Sequence, residues 1–281
     1  MQLASYAKIN LFLEILAKRP DGYHQIETLL CSVSVCDTLK YALTKKPGLK
    51  LWSNLPEMAA ADNLILRIAN YLADKYKPDQ GMEIFLDKKI PVAAGLGGGS
   101  SNAANALIAL NSLWGLNLTQ SELESVAAGF GSDICFFLTG GTAWATERGE
   151  QIVPRDDLEI SNILLVNPGI GISSSRAYQL SPIPSSGQRR HFQQHNWHKC
   201  LFNRLEAAVR LEYPVVDQLL TDLYEQGANA ALMSGSGATC FGIFDDAGKM
   251  SSCQGHFERQ GFWTQITRTI TRKEYQDVFE A

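Results

Sequence analysis

The first part of the chain alternates between apolar and polar side chains. Every odd position from 7 to 13 is apolar, and Lys8, Asn10 and Glu14 stand at even positions. A period of two predicts a β-strand with one apolar face and one polar face. We therefore expect Lys8 and Asn10 to lie side by side on the polar face of a half-buried strand.

Apolar periodicity predicts further elements along the rest of the chain. Period-two patterns and short apolar runs predict strands at 29–36, 38–43, 82–86, 161–166, 230–233 and 239–244. Spacings of three and four residues predict helices at 64–72, 103–114, 197–211 and 215–226. Asp62-Asn63 is a typical capping pair before the first of these helices, and Gly115 is a typical residue just after the second. The mixture predicts an α+β protein with two lobes, 1–155 and 156–281.

Composition and charge narrow the class of protein. The 281 residues are 45% hydrophobic and carry a formal net charge of -4, which indicates a globular chain of two domains and argues against a nucleic-acid partner. No apolar run approaches the roughly 20 residues of a membrane span, and no secretory leader precedes the first strand, so we expect a cytoplasmic protein without a membrane partner. The six cysteines form no CxxC pair, which indicates buried reduced thiols. The oligomeric state stays open.

A glycine-rich stretch, PVAAGLGGGSSNAA at 91–104, lies between a predicted strand and a predicted helix. The start of a helix has unpaired N–H groups and a partial positive charge, so glycines that bring backbone amides close to a ligand can form a phosphate cradle. Ser100 and Ser101 add hydroxyl donors or cap the helix. The stretch is neither a Walker A motif nor a complete GxGxxG motif. Taken alone, it fits a flexible connection equally well.

One carboxylate, Asp133, lies in the otherwise apolar run 129–138. A buried acid needs a partner, and it is most often satisfied by backbone amides. Here Lys8 is a second isolated charge and could be that partner. A Lys–Asp pair beside a phosphate cradle is the minimum for phosphoryl transfer, because it supplies a base for the acceptor hydroxyl and a cation for the transferring group.

Five motifs in order along the chain resemble the signature regions of the GHMP kinases. They are AKINLFL at 7–13, DGYH at 21–24, the glycine-rich stretch, GSD at 131–133 and MSGSGA at 233–238. Each motif is weak alone, but the ordered set is specific. The resemblance implies a two-lobed GHMP kinase fold with its active site in the cleft between the lobes. It also implies ATP with Mg²⁺, and a cytidine-diphospho sugar alcohol substrate in isoprenoid precursor biosynthesis.

The resemblance implies roles for individual residues. Lys8 and Asp133 match the catalytic pair. The positions that match substrate contacts are Asn10, Tyr23, His24, Ser174 and Tyr178. The positions that match ATP contacts are Asn63, Pro91, Ala94, Gly95, Leu96, Gly97, Gly98, Gly99, Ser100, Ser101, Gly235 and Gly237. We expect the rings of Tyr23 and Tyr178 to face each other across the lobe junction and hold the cytosine, and we expect no dedicated metal ligands.

The chain departs from the family pattern at two positions. Cys135 stands where proline is usual, which bears on the loop geometry, and Arg204 stands where aspartate is commoner, which could change a contact between the lobes. Two other features have plain interpretations. The helical spacing of His191, His195 and His198 could indicate a metal site, although a polar exposed connection over 181–194 fits better. Arg189-Arg190 is most simply a solvated turn.

Three alternative functions stay open at this point. Another GHMP kinase would act on a different small alcohol such as mevalonate or homoserine, against which residues 21–24 argue. A non-catalytic nucleotide-binding relative should have lost Lys8 or Asp133, and both are present. A dinucleotide-dependent oxidoreductase needs an ordered βαβ pattern around the glycine stretch, and the sequence lacks one.

Overall fold

The computed structural model describes residues 1–185 and 189–280. The strands are β1 Gln2–Lys18, β2 His24–Thr44, β3 Leu49–Ser53, β4 Gly81–Asp87, β5 Thr142–Glu147, β6 Gln151–Pro154, β7 Ile163–Asn167, β8 Phe202–Asn203, β9 Ala230–Met233, β10 Cys240–Ile243 and β11 Trp263–Thr267. The α-helices are α1 Leu64–Tyr76, α2 Gly98–Leu113, α3 Gln120–Phe130, α4 Ser132–Phe137, α5 Ser174–Leu180, α6 Glu206–Glu212, α7 Pro214–Glu225, α8 Ala247–Arg259 and α9 Arg272–Glu280. Short 3-10 helices span Pro56–Ala59 and Gln194–Lys199.

Two sheets organise the molecule. The first has the order β3-β4-β2-β1-β8, and β5 pairs with β2 and carries β6. The second has the order β11-β7-β10-β9 and is antiparallel throughout. Helices α1, α2 and α4 pack on the first sheet, and α6, α7 and α8 pack on the second. This arrangement agrees with the expected α+β class.

Both faces of β1 are buried, whereas the alternation predicted one exposed polar face. The odd-numbered residues from 7 to 11 pack against residues of the second sheet such as Leu165 and Phe241. Lys8 and Asn10, on the other face, are only 4% and 3% exposed. The expectation of a half-buried strand was wrong, because loops and a helix that are distant in sequence cover the polar face.

Several predicted elements differ from the observed ones. The strands expected at 29–36 and 38–43 are one continuous strand of 21 residues, β2. The segment expected to be one helix at 197–211 contains three elements instead: the end of a 3-10 helix, the two-residue strand β8 and α6. The helix is interrupted because residues 202–203 pair with β1. Residues 129–138, for which the sequence predicted no element, form the end of α3 and the short helix α4. Of the expected exposed connection at 181–194, Ser181 is buried, and residues 186–188 lie outside the described residues.

Segments of the second half of the chain pack on the first lobe. Strand β8 pairs in parallel with β1, and α9 packs on the core of the first lobe, where the Tyr275 hydroxyl donates to the carbonyl oxygen of Phe137 at 2.6 Å. The division of the chain into two domains at residue 155 stays a prediction. Residues on both sides of this boundary pack together in the first lobe. Across the two described ranges, no helix combines the length and apolar character needed to cross a bilayer.

Candidate active site

Lys8 is a buried cation on β1, between β2 and β8 in the first sheet. Its Nζ donates to Oδ1 of Asn10, and Nδ2 of Asn10 donates to Oγ1 of Thr28 on β2 at 2.8 Å. Thr28 in turn donates to a main-chain carbonyl of β1 at 2.6 Å. These bonds fix the ammonium group in one place. Burial lowers the pKa of Lys8, and the negative charge of Asp133 partly offsets this effect.

The glycine-rich stretch at 91–101 lies directly against β1. The backbone N–H of Lys8 donates to the carbonyl oxygen of Leu96 at 3.0 Å. Gly97 has a positive φ of 69°, and a Cβ at this position would lie 2.8 Å from the ring of Phe137 and 3.1 Å from Cγ of Lys8. Helix α2 starts at the next residue. The stretch is therefore a strand-to-helix loop, as the sequence predicted, and the structure holds it against the lysine.

The glycines of this loop face different surroundings. A Cβ on Gly98 would lie 3.0 Å from Nζ of Lys88, inside the protein, whereas a Cβ on Gly99 would meet no heavy atom within 4 Å. Gly99 is thus a glycine that faces open space at the helix start. Ser101 is buried, and its hydroxyl pairs with that of Ser5 at 2.8 Å. It does not cap α2, which was one of the two roles that the sequence suggested for it. Ser100 is partly exposed.

A second glycine loop, residues 234–238, covers the lysine from the other lobe. A Cβ on Gly235 would lie 2.9 Å from Nζ of Lys8 and 3.1 Å from Oδ1 of Asn10. Gly235 has φ of 55°, a conformation that glycine adopts without strain. Nδ2 of Asn203 donates to the carbonyl oxygen of Gly235 at 2.7 Å and so holds the loop in place. Only a residue without a side chain can approach the lysine this closely.

The two glycine loops are in direct contact. The Ser234 hydroxyl donates to the carbonyl oxygen of Gly95 at 3.0 Å, and the backbone N–H of Thr239 donates to that of Ala94 at 3.2 Å. A Cβ on Gly95 would lie 2.1 Å from the carbonyl oxygen of Ser234. Gly95 and Ala94 therefore serve this junction between the lobes, which a sequence motif alone does not reveal.

Asp133 lies in the first turn of α4 and is partly exposed. Its charge acts on Lys8 and also raises the pKa of Tyr178, for which burial is the larger cause. Among the residues that the structure describes, no direct ion pair joins Asp133 to Lys8. The carboxylate therefore acts on the ammonium group through space and not through a direct bond. A carboxylate and an ammonium group beside a glycine loop can accept a proton and stabilise a phosphoryl group.

Comparisons with known proteins agree with this geometry. Family models described as the N-terminal domain and the C-terminal domain of the GHMP kinases match residues 63–141 and 190–259. A protein of Synechococcus sp. (strain JA-3-3Ab) named 4-diphosphocytidyl-2-C-methyl-D-erythritol kinase is 41% identical, with 95% of this chain and 94% of the relative covered. The chain belongs to the GHMP kinases. A relative of the same name from Thermoanaerobacter pseudethanolicus (strain ATCC 33223 / 39E) is 37% identical, and the match covers 97% of this chain and 97% of the relative.

Solved structures place this GHMP kinase in the same fold. A crystal structure of 4-(cytidine 5'-diphospho)-2C-methyl-D-erythritol kinase matches with a TM-score of 0.82 at 27% identity, over 96% of this chain and all of that one. A mevalonate kinase matches with a TM-score of 0.72 at 13% identity, covering 96% of this chain and 99% of that one, which shows the fold alone. The chain is a small-molecule kinase, and ATP is the phosphate donor of its family.

The aromatic residues expected to hold the substrate are arranged differently in this GHMP kinase. The ring that stacks on Tyr178 is that of His24, with centroids 5.0 Å apart and planes 16° from parallel. Tyr23 is 56% exposed, and its ring lies under the guanidinium of Arg148 at 5.1 Å. The expected facing pair of Tyr23 and Tyr178 is therefore wrong for this structure, because His24 occupies the place beside the Tyr178 ring.

Other expected contacts of the GHMP kinase lie at the edges of this site. The hydroxyl of Ser174 is 3.3 Å from that of Ser236 in the second glycine loop, so it lies beside the lysine site. Both polar atoms of Asn63 are engaged by the chain: Oδ1 accepts from the N–H of Ile65 and Nδ2 donates to the carbonyl oxygen of Met58. The roles expected for all the substrate-contact and ATP-contact positions, Asn63, Pro91 and Gly237 among them, stay predictions.

Both departures from the family pattern have structural partners. Cys135 lies inside α4, and burial raises the pKa of its thiol to about 12. Arg204 donates from Nε and Nη2 to the carboxylate of Glu14 at 2.7 Å each, which joins the second half of the chain to β1. Arg204 therefore makes a contact between the lobes, where the sequence indicated only that such a contact could change.

The segment that follows residue 188 also differs from its simplest interpretation. Nη2 of Arg189 donates to the carbonyl oxygen of Leu16 at 2.6 Å, and the N–H of Arg190 donates to the carboxylate of Glu14 at 2.8 Å. The expected solvated turn at Arg189-Arg190 was wrong, since both residues dock on β1. The side chain of His195 lies outside the described part of the structure, so the spacing of the three histidines has no structural outcome.

Proposed function

We propose that this GHMP kinase transfers the γ-phosphoryl group of ATP to the 2-hydroxyl of 4-diphosphocytidyl-2-C-methyl-D-erythritol, a step of the non-mevalonate route to isoprenoid precursors. The observation that carries phosphoryl transfer is the buried ammonium of Lys8 between two glycine loops, with the carboxylate of Asp133 acting on it. The choice of alcohol is supported by the names of the relatives, which are 33% to 41% identical over nearly the whole chain. Action in the cytoplasm stays a prediction from the sequence.

Asp133 is the proposed general base. It accepts the proton of the acceptor hydroxyl as the hydroxyl oxygen bonds to the γ-phosphorus and the bond from that phosphorus to the β,γ-bridging oxygen breaks, which releases ADP. A carboxylate suits this role because phosphoryl transfer is driven mainly by positioning and electrostatics, and proton removal can follow late. Its place in the first turn of the short helix α4 fixes its direction.

Lys8 is the proposed electrostatic partner of the reaction. Its ammonium donates to Asn10 and lies under Gly235, so it presents a fixed positive charge in a site from which much water is excluded. Such a preorganised charge stabilises the negative charge on the transferring group more strongly than it would in water. Asn10 orients Lys8, and its expected contact with the acceptor alcohol stays a prediction.

The residues around the first glycine loop suit a nucleotide whose metal is held by its own phosphates. The loop offers backbone N–H groups and the hydroxyl of Ser100, which are donors for phosphate oxygens. Within 1–185 and 189–280, no group of three or more His, Cys, Asp or Glu residues could hold a metal ion. We therefore assign Mg²⁺ mainly phosphate and water ligands. When bound, Mg²⁺ neutralises charge on the β- and γ-phosphates.

The proposed cytidine site is formed by His24 of β2 and Tyr178 of α5, with Tyr23 at its rim and Ser174 beside the second glycine loop. His24 and Tyr178 belong to different halves of the chain and meet in a stack. Aromatic rings are suited to bind a base by stacking, and the imidazole adds hydrogen bonding to its edge. The small molecule is the proposed partner, and a nucleic-acid partner is not expected.

A kinase assay tests this proposal directly. The purified protein is given ATP, Mg²⁺ and, in separate reactions, 4-diphosphocytidyl-2-C-methyl-D-erythritol, mevalonate or homoserine, and ADP release is measured. We expect kcat/KM for the cytidine substrate to exceed that for the other alcohols by at least about a hundredfold, because the base supplies binding that they lack. Carbon–phosphorus coupling in the NMR spectrum of the product identifies the phosphorylated oxygen. Comparable rates with mevalonate would replace the proposed substrate and leave the kinase assignment intact.

A further inference from the structure

A buried ion pair lies beneath the first glycine loop, outside the site described above. Nζ of Lys88 donates to Oδ2 of Asp37 at 2.8 Å, and the two side chains are 3% and 0% exposed. A buried ion pair costs the desolvation of both charges and is often no more stabilising than apolar residues of similar size. The position of this pair therefore calls for a reason beyond stability.

The carboxylate of Asp37 is bonded to both ends of the glycine loop. Its Oδ1 accepts from the backbone N–H groups of Lys89 and Ile90, at 2.7 and 2.8 Å, in the segment that enters the loop. Its Oδ2 accepts from Nδ2 of Asn102, at 2.9 Å, in the first turns of the helix that leaves the loop. One side chain on β2 thus closes the base of a loop whose backbone must hold a fixed shape to bind phosphate.

The ammonium of Lys88 lies against the start of α2. It donates to the carbonyl oxygen of Ile90 as well as to Asp37, and it is 3.0 Å from the Cβ position of Gly98, the first residue of that helix. The start of a helix carries partial positive charge, so a cation is unfavourable there unless anions balance it. Asp37 supplies one negative charge in the free protein. Phosphate groups bound on the loop would supply more.

We propose that Asp37 and Lys88 are positioning residues of the nucleotide phosphate loop: Asp37 fixes both ends of the loop, and Lys88 provides a buried positive charge beneath it that favours bound phosphate. The role rests on the assignment of this loop to the phosphates of ATP. It does not depend on which alcohol accepts the phosphoryl group. Neither residue belongs to the motifs by which the sequence was interpreted.

The test compares nucleotide affinity with stability in three variants. Lys88→Met removes the cation, the double variant Asp37→Asn with Lys88→Met removes both charges, and Asn102→Ala removes the bond between Asp37 and α2. ADP binding is measured by calorimetry, unfolding by thermal melting, and KM for ATP and for the acceptor alcohol by steady-state kinetics. Because ADP binding needs no acceptor, a wrong choice of alcohol cannot imitate a failure of this proposal.

We expect Lys88→Met to weaken ADP binding by about three- to thirtyfold, the range for one charge near a helix start, while KM for the alcohol changes by less than about twofold. The double variant should regain melting temperature, because no unpaired charge is left buried, but should not regain ADP affinity. Asn102→Ala should weaken ADP binding at unchanged net charge. Should Lys88→Met fail to fold, the neutral double variant carries the comparison alone.

Glu14→Gln is the matched control, because Glu14 is equally buried on the same sheet and pairs with Arg204 away from the loop. It should lower the melting temperature and leave ADP affinity unchanged. The proposal is overturned if ADP affinity in the folded double variant lies within twofold of the wild type, or if Glu14→Gln weakens ADP binding as much as Lys88→Met. The first result would make the pair purely structural, and the second would attribute the loss to general destabilisation.

Discussion

The imidazole of His24 stacks on the phenol ring of Tyr178, with 5.0 Å between the ring centroids. The two residues are 154 positions apart in the sequence. A base held between two rings needs one stacking separation on each side. The gap between His24 and Tyr178 is therefore too narrow for a third ring. A cytosine must displace one of the two rings or stack on an outer face of the pair. We take Tyr178 as one of the two rings of the proposed substrate site.

Replacement of Tyr178 by alanine is expected to raise KM for the cytidine substrate about fivefold to a hundredfold, because stacking of a base is worth roughly 1 to 3 kcal/mol. KM for ATP should barely change. Tyr178→Phe keeps the ring, so its substrate KM should stay close to that of the wild type. Tyr224→Ala removes an exposed tyrosine ring from α7 and is the control for loss of an aromatic side chain elsewhere. Unchanged substrate KM in Tyr178→Ala would remove the residue from the cytidine site.

Asp133→Asn is expected to lower kcat by about a hundredfold to ten-thousandfold, the range for loss of a general base, with ADP affinity and melting temperature near those of the wild type. The same change at Asp217, an acid in the first turn of α7 in the second lobe, should leave kcat unchanged. Turnover above half of the wild-type rate in folded Asp133→Asn would show that another group accepts the proton.

Titration of the Lys8 amine tests its coupling to Asp133. Burial lowers its pKa from the ordinary 10.5, and the carboxylate of Asp133 raises it. In the pH profile of kcat, the decline at alkaline pH should therefore begin at a pH lower than 10.5, because Lys8 loses its ammonium form at that lower pH. In Asp133→Asn the pKa should fall further, since the stabilising negative charge is gone. NMR of ¹⁵N-labelled lysine follows both titrations, and an unchanged pKa in the variant would contradict the coupling.

Two adjacent glycines should respond differently to the same substitution. Gly99→Val places its side chain in open space, so the protein should fold normally and lose ATP affinity by about tenfold or more as the phosphate cradle is filled. Gly98→Val meets Lys88 and Ile90 and should lower the melting temperature first. Calorimetry with ADP and thermal melting separate the two. Normal ADP affinity in folded Gly99→Val would place the phosphates elsewhere.

Local patterns were sufficient for most elements near the site. The cap at Asn63 and the glycine after α2 mark the ends of their helices as the sequence indicated. The glycine loop joins β4 to α2, and the short strands β9 and β10 flank the second glycine loop. These features depend on residues close in sequence, which is why periodicity and turn residues reveal them.

Contacts between distant segments could not be predicted in the same way. The burial of the polar face of β1, the support of Asn10 by Thr28 and the hold of Asn203 on Gly235 all depend on how strands and lobes meet. The break at β8 has the same origin, because pairing with β1 overrides a helical pattern. The partners of His24 and Tyr178 likewise follow from tertiary packing that no short motif contains.

The bond from Tyr275 to the carbonyl of Phe137 spans 138 positions of the chain. Helix α4, which carries Asp133, is thus supported by a residue that leaves the ribosome long after the helix itself. A nascent chain that has reached residue 155 contains every strand of the first sheet except β8 and still lacks this support. The packing around α4 is therefore completed only after the second lobe has been synthesised, although domains generally fold as units from the N-terminus onward. The first lobe of this protein thus takes part of its core from the end of the chain.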